Sequence, residues 1–367
     1  MLIQISEGLK IFRRSFFAKR LGVSRYIGTP RQICSEIVEG CWNNREGFYC
    51  TSTGHFRQFY TRDFGICAEA LIKLGHKDRV IKTLDYVLSK FSKHGKITTS
   101  ITLRGRPFDF PTYASDSLPF ILHSIRIAEA DDILKKYKNF IEKETEKYCR
   151  VVFDKKTGMV RKERHLSSMK DYSKRNSSTY DNCMVGMLKE DLDYVGLKNP
   201  FASYDIKGTI TRNLWNGKFF YDDLNKINAV YGDANVFPFW TGLFNERKIF
   251  ESCLKSIKEA GLDRPFPLKY SNKRIKGQRM IWQEVFVGNY ERDAVWMHLG
   301  LCYLDVLKKF GKENELKKCL KLYEQNISKY RNFLEVFNNR GRPFKSAFYY
   351  ADEGMLWAAK CLCLLSS

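Results

Sequence analysis

Five predicted helices begin at or just after an aspartate, and each follows a long aromatic-rich loop. The starts read Tyr60-Thr61-Arg62-Asp63, Ala114-Ser115-Asp116, Thr179-Tyr180-Asp181, Tyr231-Gly232-Asp233 and Glu291-Arg292-Asp293. Each of these helices ends in a turn of a few residues and is followed by a second, amphipathic helix. The alternation of short turn and long loop sorts every long loop to one face of a helical array. Loops gathered on one face of a rigid scaffold are the usual seat of binding and catalysis.

The helical period supports this reading. Over 77–92, Val80, Leu84, Val87, Leu88 and Phe91 form one apolar face; over 312–331, Leu316, Leu320, Tyr323 and Ile327 do the same. These are surface helices with one buried stripe. The preceding segments, such as Phe64–Leu74 with its small residues Gly65, Ala68 and Ala70, are apolar on most sides and belong between other helices. Helices are predicted near 30–41, 64–74, 77–92, 116–129, 131–147, 181–195, 201–214, 233–243, 246–260, 290–309, 312–331 and 350–364. Inner and outer classes alternate, and the outer-to-inner loops run to roughly 15 to 30 residues, a length that a compact domain tolerates when the loops are functional. Six helical hairpins closing on themselves make an all-α (α/α)6 toroid over residues 30–367, with residues 1–29 as a lead-in. An open superhelix of helix pairs is the competing architecture.

Composition excludes several classes. The eleven cysteines are odd in number, show no C-x-x-C, and fall inside apolar helical patterns, as buried thiols in a reducing compartment would. The six histidines have no metal-ligand spacing, so no metal or other cofactor is expected. No apolar run reaches the ~18 residues that span a bilayer, and the N-terminal segment has no secretory pattern, so a cytoplasmic protein without a membrane partner is expected. The formal charge of +22 argues for nucleic acid, but the lysines spread along many helices without a nucleic-acid motif, as on a solvated basic exterior.

Four strings carry a family likeness. Tyr60-Thr61-Arg62-Asp63-Phe64 with the following AEALIKLG resembles the Arg-Asp helix start of six-hairpin glycosidases: glucoamylases, neutral invertases, trehalases and glucosyl-debranching enzymes. Gly232-Asp233-Ala234-Asn235-Val236-Phe237-Pro238 resembles an inner helix of that superfamily, and Asn289-Tyr290-Glu291-Arg292-Asp293-Ala294-Val295-Trp296 its penultimate one. Glu335-Val336-Phe337 through Gly341-Arg342-Pro343 resembles the loop that carries the catalytic base.

The resemblance implies an inverting, exo-acting glycoside hydrolase acting on an oligo- or polysaccharide, with α-linked glucose as the expected sugar. Such chemistry needs one carboxylic acid to protonate the leaving oxygen and one carboxylate to activate water. Glu335 is the expected base and is expected to stay ionised. The acid lies in the 148–180 loop, where Asp171 and Asp181 compete; it needs a pKa raised by burial. Arg62 and Asp63 match the pair that grips the terminal sugar, with Tyr60 beside them. Asp233 and Arg292 are further binding candidates. Asp116 and Asp293 read more simply as helix caps. Trp215, Tyr231, Trp282 and Tyr290 offer flat faces for sugar rings or plugs for the scaffold, and Glu284 is an alternative carboxylate. A sugar-binding protein or an epimerase on the same toroid, and a basic helical nucleic-acid binder, are the competing functions. An epimerase would use His55, His165 or His298. Oligomeric state is left open by the sequence.

Overall fold

The computed structural model describes residues 2–272 and 275–366; Met1 and Ser367, the outer limits of the two expected segments, lie outside them. In chain order the helices are α1 (Leu2–Leu21), α2 (Pro30–Gly40), α3 (Thr61–Lys73), α4 (Lys77–His94), α5 (Ser117–Ile127), α6 (Asp131–Val152), α7 (Thr179–Tyr194), α8 (Ile206–Leu214), α9 (Gly232–Trp240), α10 (Arg247–Glu259), α11 (Glu284–Val287), α12 (Met297–Lys309), α13 (Glu313–Tyr330) and α14 (Ala358–Leu365).

Helices α3, α5, α7, α9, α12 and α14 form a ring in which each packs on the next and α14 returns to α3. Helices α4, α6, α8, α10, α13 and α2 lie outside, each against an inner helix and α4 against both α3 and α5. The first helix of this array, α2, packs on the last, α14. That contact closes the toroid; an open superhelix would leave its terminal repeats apart.

Local chemistry explains the elements. Helix α2 starts with Pro30 at its first turn, and Thr29 and Gln32 satisfy each other's backbone N–H groups in a capping box. Inner helices are buried on nearly all sides: every residue of α9 from Gly232 to Phe239 is buried, whereas α4 buries one stripe containing Val80, Leu84, Val87 and Phe91. Close approach of α3 and α5 depends on Gly65. A Cβ there would lie 2.5 Å from Phe120 Cβ.

Two expected helix starts shift because of long-range contacts, and the lead-in gains a helix. Residues 350–357 form a loop and not the start of the last helix, because their polar groups are spent elsewhere. The Asp352 carboxylate accepts from the backbone N–H groups of His55 and Phe56 and from the Ser52 hydroxyl. The penultimate inner helix starts at Met297 and not near 290, because Val295 and Trp296 pair antiparallel with Phe337 and Val336. Residues 2–21, expected only as a lead-in, form a 20-residue helix lying against the loop face. No described helix is long and apolar enough to cross a membrane.

Candidate active site

The short ladders clamp the loops at the ring's mouth. Phe59–Tyr60 pairs with Ser100–Ile101, which fixes the entry to α3 and aims Arg62 and Asp63 inward. The Val295–Trp296 pairing with Val336–Phe337 fixes Glu335 one residue before its strand. Ser173–Lys174 pairs with Arg279–Met280 and holds the loop that carries Asp171.

These loops enclose a cavity of about 450 Å³. Its polar lining includes Tyr60, Arg62, Asp63, Asp171, Tyr290, Glu291, His298, Glu335 and Tyr349. Its apolar lining includes Phe56, Phe110, Pro111, Met169, Trp296 and Trp357, and one wall is α1, through Ile5, Leu9, Ile11 and Phe12. The volume and the mixture of apolar walls with a few convergent polar groups suit a small ligand.

Glu335 is 2% exposed. Tyr290 Oη donates to its Oε1; Tyr349 Oη donates to its Oε2 at 2.5 Å, and the Asp352 N–H donates to Oε2 at 3.0 Å. Burial, with Asp352 adding to it, pushes the Glu335 carboxyl up to about 8 in spite of these donors. The expectation that Glu335 is ionised at neutral pH therefore needs correction: desolvation outweighs the hydrogen bonds that favour the anion.

Asp171 is the more open carboxylate, with a side chain 23% exposed. Its Oδ1 accepts from Ser167 Oγ at 2.5 Å and from the Ser168 N–H at 3.2 Å. Arg62 reaches Asp171 with both terminal nitrogens, at 3.4 and 3.5 Å. Deep burial, expected for the acid, belongs to Glu335 instead, because the Asp171 side chain opens to the cavity from a loop whose preceding residues, Ser167 to Lys170, are buried. Glu291, which sequence reasoning passed over, lies behind that loop. Its two carboxyl oxygens accept the backbone N–H groups of Asp171 and Tyr172 at 2.7 and 2.8 Å. Burial first, and the Asp171 charge second, push Glu291 up to about 8.

Arg62 is held in place by Asp116, whose Oδ2 accepts from Arg62 Nε at 2.6 Å and from Tyr180 Oη at 2.8 Å. Asp116 makes no capping bond at α5, so the cap expected there is not formed; the carboxylate orients the guanidinium instead. Asp63, in the first turn of α3, accepts from Trp357 Nε1 at 2.9 Å, and burial pushes it up to about 6. His298 is kept neutral, because burial lowers it to about 3; its Nε2 lies 3.3 Å from Tyr270 Oη and 3.0 Å from Met169 Sδ.

The other expected residues lie outside this cavity. Asp181 accepts the hydroxyls of Ser115 and Ser178, both at 2.6 Å, and borders a separate cavity of about 10 Å³; the cap of α7 is Ser178. Asp233 is fully buried, 2.9 Å from Arg175 and 3.5 Å from Lys170, which also meet Asp222 at 3.5 and 2.7 Å. This four-charge cluster anchors the loop on either side of Asp171. Arg292 pairs with Glu284 at 2.8 Å, which occupies both of those candidates. Asp293 accepts from Asn339 at 2.7 Å and starts no helix. Trp215 packs on Phe220 as a plug, Tyr231 is buried beneath Lys170, and Trp282 stands 70% exposed at the rim. His55 is tied to Asp352, 3.0 Å away. Among the described residues no His, Cys, Asp and Glu group has the makings of a metal site.

No sequence-family model matches this chain, and no curated protein matches it in sequence. Solved structures match it in shape. A rhamnosidase from Klebsiella oxytoca with rhamnose bound superposes with a TM-score of 0.67 at 12% identity, over 92% of this chain and 62% of that one. A glycosidase in complex with glucose gives 0.65 at 12% identity, over 92% and 96%. A GH63 mannosylglycerate hydrolase from Thermus thermophilus, in complex with glucose, gives 0.63 at 12% identity, over 92% and 100%. The chain thus spans less than two thirds of the rhamnosidase and nearly the whole of the other two. The shared fold is an (α/α)6 toroid.

Proposed function

We propose that the protein is an inverting, exo-acting glycoside hydrolase, with Asp171 and Glu335 as its two carboxylates. The observation that carries this reading is their convergence, from loops 164 positions apart in sequence (335 − 171), on one cavity that also holds Arg62 and Asp63. A guanidinium and a carboxylate side by side suit neighbouring sugar hydroxyls, since each makes directional paired hydrogen bonds. Walls contributed by α1 and by the loops before α3, α5, α7, α12 and α14 favour a pocket that takes a chain end, hence exo action. Two neighbours solved with glucose support a glucose-sized sugar subsite. The reaction protonates the glycosidic oxygen, and water attacks the anomeric carbon from the opposite face.

Asp171 would supply the proton and Glu335 would take one from water. A second assignment, with these roles exchanged, is favoured by one observation: the buried Glu335 holds its proton up to about 8, while Asp171 faces the Arg62 cation. The pH–rate profile separates them. Required as a base, Glu335 must be ionised, and kcat/KM rises with pH through about 8. Required as an acid, it must be protonated, and kcat/KM falls there. An epimerase reading is weakened by His298, which is neutral and engaged with Tyr270 and Met169.

The test is proton NMR of reactions with trehalose, sucrose, maltose, isomaltose, longer α-glucans, mannosylglycerate and an α-rhamnoside. The proposal expects one sugar released with the anomer opposite to its substrate. Release from none of them, or release with retention, overturns it.

A further inference from the structure

Helix α1 turns a mixed side inward and leaves an apolar stripe toward solvent. Inward, Ile11 packs on the core, Glu7 is 7% exposed and accepts from Gln58 Nε2 at 2.5 Å, Ser15 is buried against Tyr350, and Arg14 donates to the His55 carbonyl. The side it turns to solvent carries Ile5, Leu9, Phe12 and Phe16, spaced four, three and four residues apart, which is one stripe of a helix. Leu9 is 65% and Phe16 59% exposed. Folding ordinarily buries such a stripe, which from Ile5 to Phe16 runs roughly 17 Å along the helix.

The stripe continues across the cavity mouth. Ile5, Leu9, Phe12 and Phe286 line the same cavity. Phe286 packs on Trp282 and Phe348, with ring centroids 5.7 and 5.6 Å apart. Lys19 donates to the carbonyls of Ser346 and Ala347, joining the far end of α1 to this rim. Val285 on α11 is 79% exposed. The result is an apolar collar larger than the scattered exposed residues normal for a surface.

The charge pattern selects the occupant. Lys10, Arg13, Lys19 and Arg20 are exposed on α1, and its one acidic residue, Glu7, is turned inward. Lys345 stands exposed near Phe348. A second copy, carrying +22, would oppose like charge to like. An aromatic and aliphatic stripe flanked by lysine and arginine is the pattern of a helix lying in a bilayer interface, and polybasic flanks favour anionic lipid.

We propose that this collar docks the protein on an anionic lipid surface, with the cavity mouth facing the headgroups. The expected absence of a membrane partner rested on the lack of a spanning segment, which surface docking does not require. Docking deepens the hydrolase reading by pointing to a sugar carried at a membrane, yet it is read without hydrolysis, so either idea can fail alone.

The full chain is sedimented with vesicles of phosphatidylcholine alone and of phosphatidylcholine with one part in three phosphatidylserine. Binding to the second and not the first is expected. Arg13→Gln with Arg20→Gln weakens it about thirtyfold, at ~1 kcal/mol for each cation near the surface. Phe16→Ser with Phe17→Ser weakens it by about tenfold or more, with unchanged circular dichroism and melting. Bromine-labelled lipid quenches wild-type tryptophan fluorescence, and the quenching falls in Trp282→Phe. The idea is overturned by wild type that ignores anionic vesicles, by variants that bind as wild type does, or by a collar that gel filtration finds already occupied by a second copy.

Discussion

At the scale of the residue, the account turns on carboxyl groups whose environments were only partly readable in advance. Glu335→Gln keeps the shape and the Tyr290, Tyr349 and Asp352 neighbours while removing the titrating group. We expect kcat to fall by about 10² to 10⁴, the usual worth of a general acid or base, with the melting temperature held or raised at neutral pH. The stability sign follows from linkage. Glu335 has its folded pKa raised to about 8, above the unfolded ~4.3, so the folded state holds the extra proton between those values. Its contribution is full below the unfolded pKa and is lost as pH rises through about 8. Glu291 adds the same sign over the same window. Melting temperature should therefore fall as pH climbs from about 4.3 to about 8 and level off above, less steeply in Glu335→Gln; a melting temperature that climbs over that range would count against the buried, protonated carboxyls. That Glu335, Arg62 and Asp63 gather at one cavity could be anticipated from the order of their strings, and Asp171 from its place in the 148–180 loop. Glu291 and Tyr349 were not, because nothing local marks a carboxyl that accepts the N–H groups of a loop 120 positions earlier (291 − 171) or a tyrosine that donates to one. The assignments of Asp181, Asp233 and Arg292 to the sugar failed to find support in the geometry: a helix-start aspartate looks the same in sequence whether it faces a cavity or a buried arginine.

At the scale of the element, the loop carrying Asp171 is held from beneath by charge. Lys170 and Arg175 face Asp222 and Asp233 with almost no solvent contact. Removing one member leaves an uncompensated buried charge, at a cost of about 3–5 kcal/mol. Lys170→Met should lower the melting temperature and also loosen Asp171, so that activity at a temperature well below melting falls too; a variant that melts early yet keeps full activity in the cold would show that the cluster is purely structural. The ring has its own test. Gly65→Ala forces a methyl into Phe120 and should cost about 1–3 kcal/mol as overpacking, whereas Ala substituted at an exposed position of α4, such as Lys82→Ala, should be near neutral. Helix periodicity exposed the outer helices and the alternation, but not the start of α12 or α14. Those starts are set by a strand pairing and by Asp352, both long-range, and helix propensity does not report them.

At the scale of the molecule, closure is what gives the loops a common face. Because α2 packs on α14, the ring closes, and the loops before α3, α5, α7, α12 and α14 line one cavity that α1 also walls. The hairpins and the common face of their loops could be read from loop alternation, since connection lengths encode them; closure, which separates a toroid from an open superhelix, rests on the contact of α2 with α14. The role of α1 could not: its stripe looks like an ordinary core-facing helix until the structure shows which side faces the protein. The most direct measurement is the rate of sugar release by wild type, Glu335→Gln and Asp171→Asn on the best substrate of the panel, each variant first shown to melt as a folded protein. The account predicts a loss of about 10² or more in both variants. Wild-type rates in either, with the cavity intact, would contradict it.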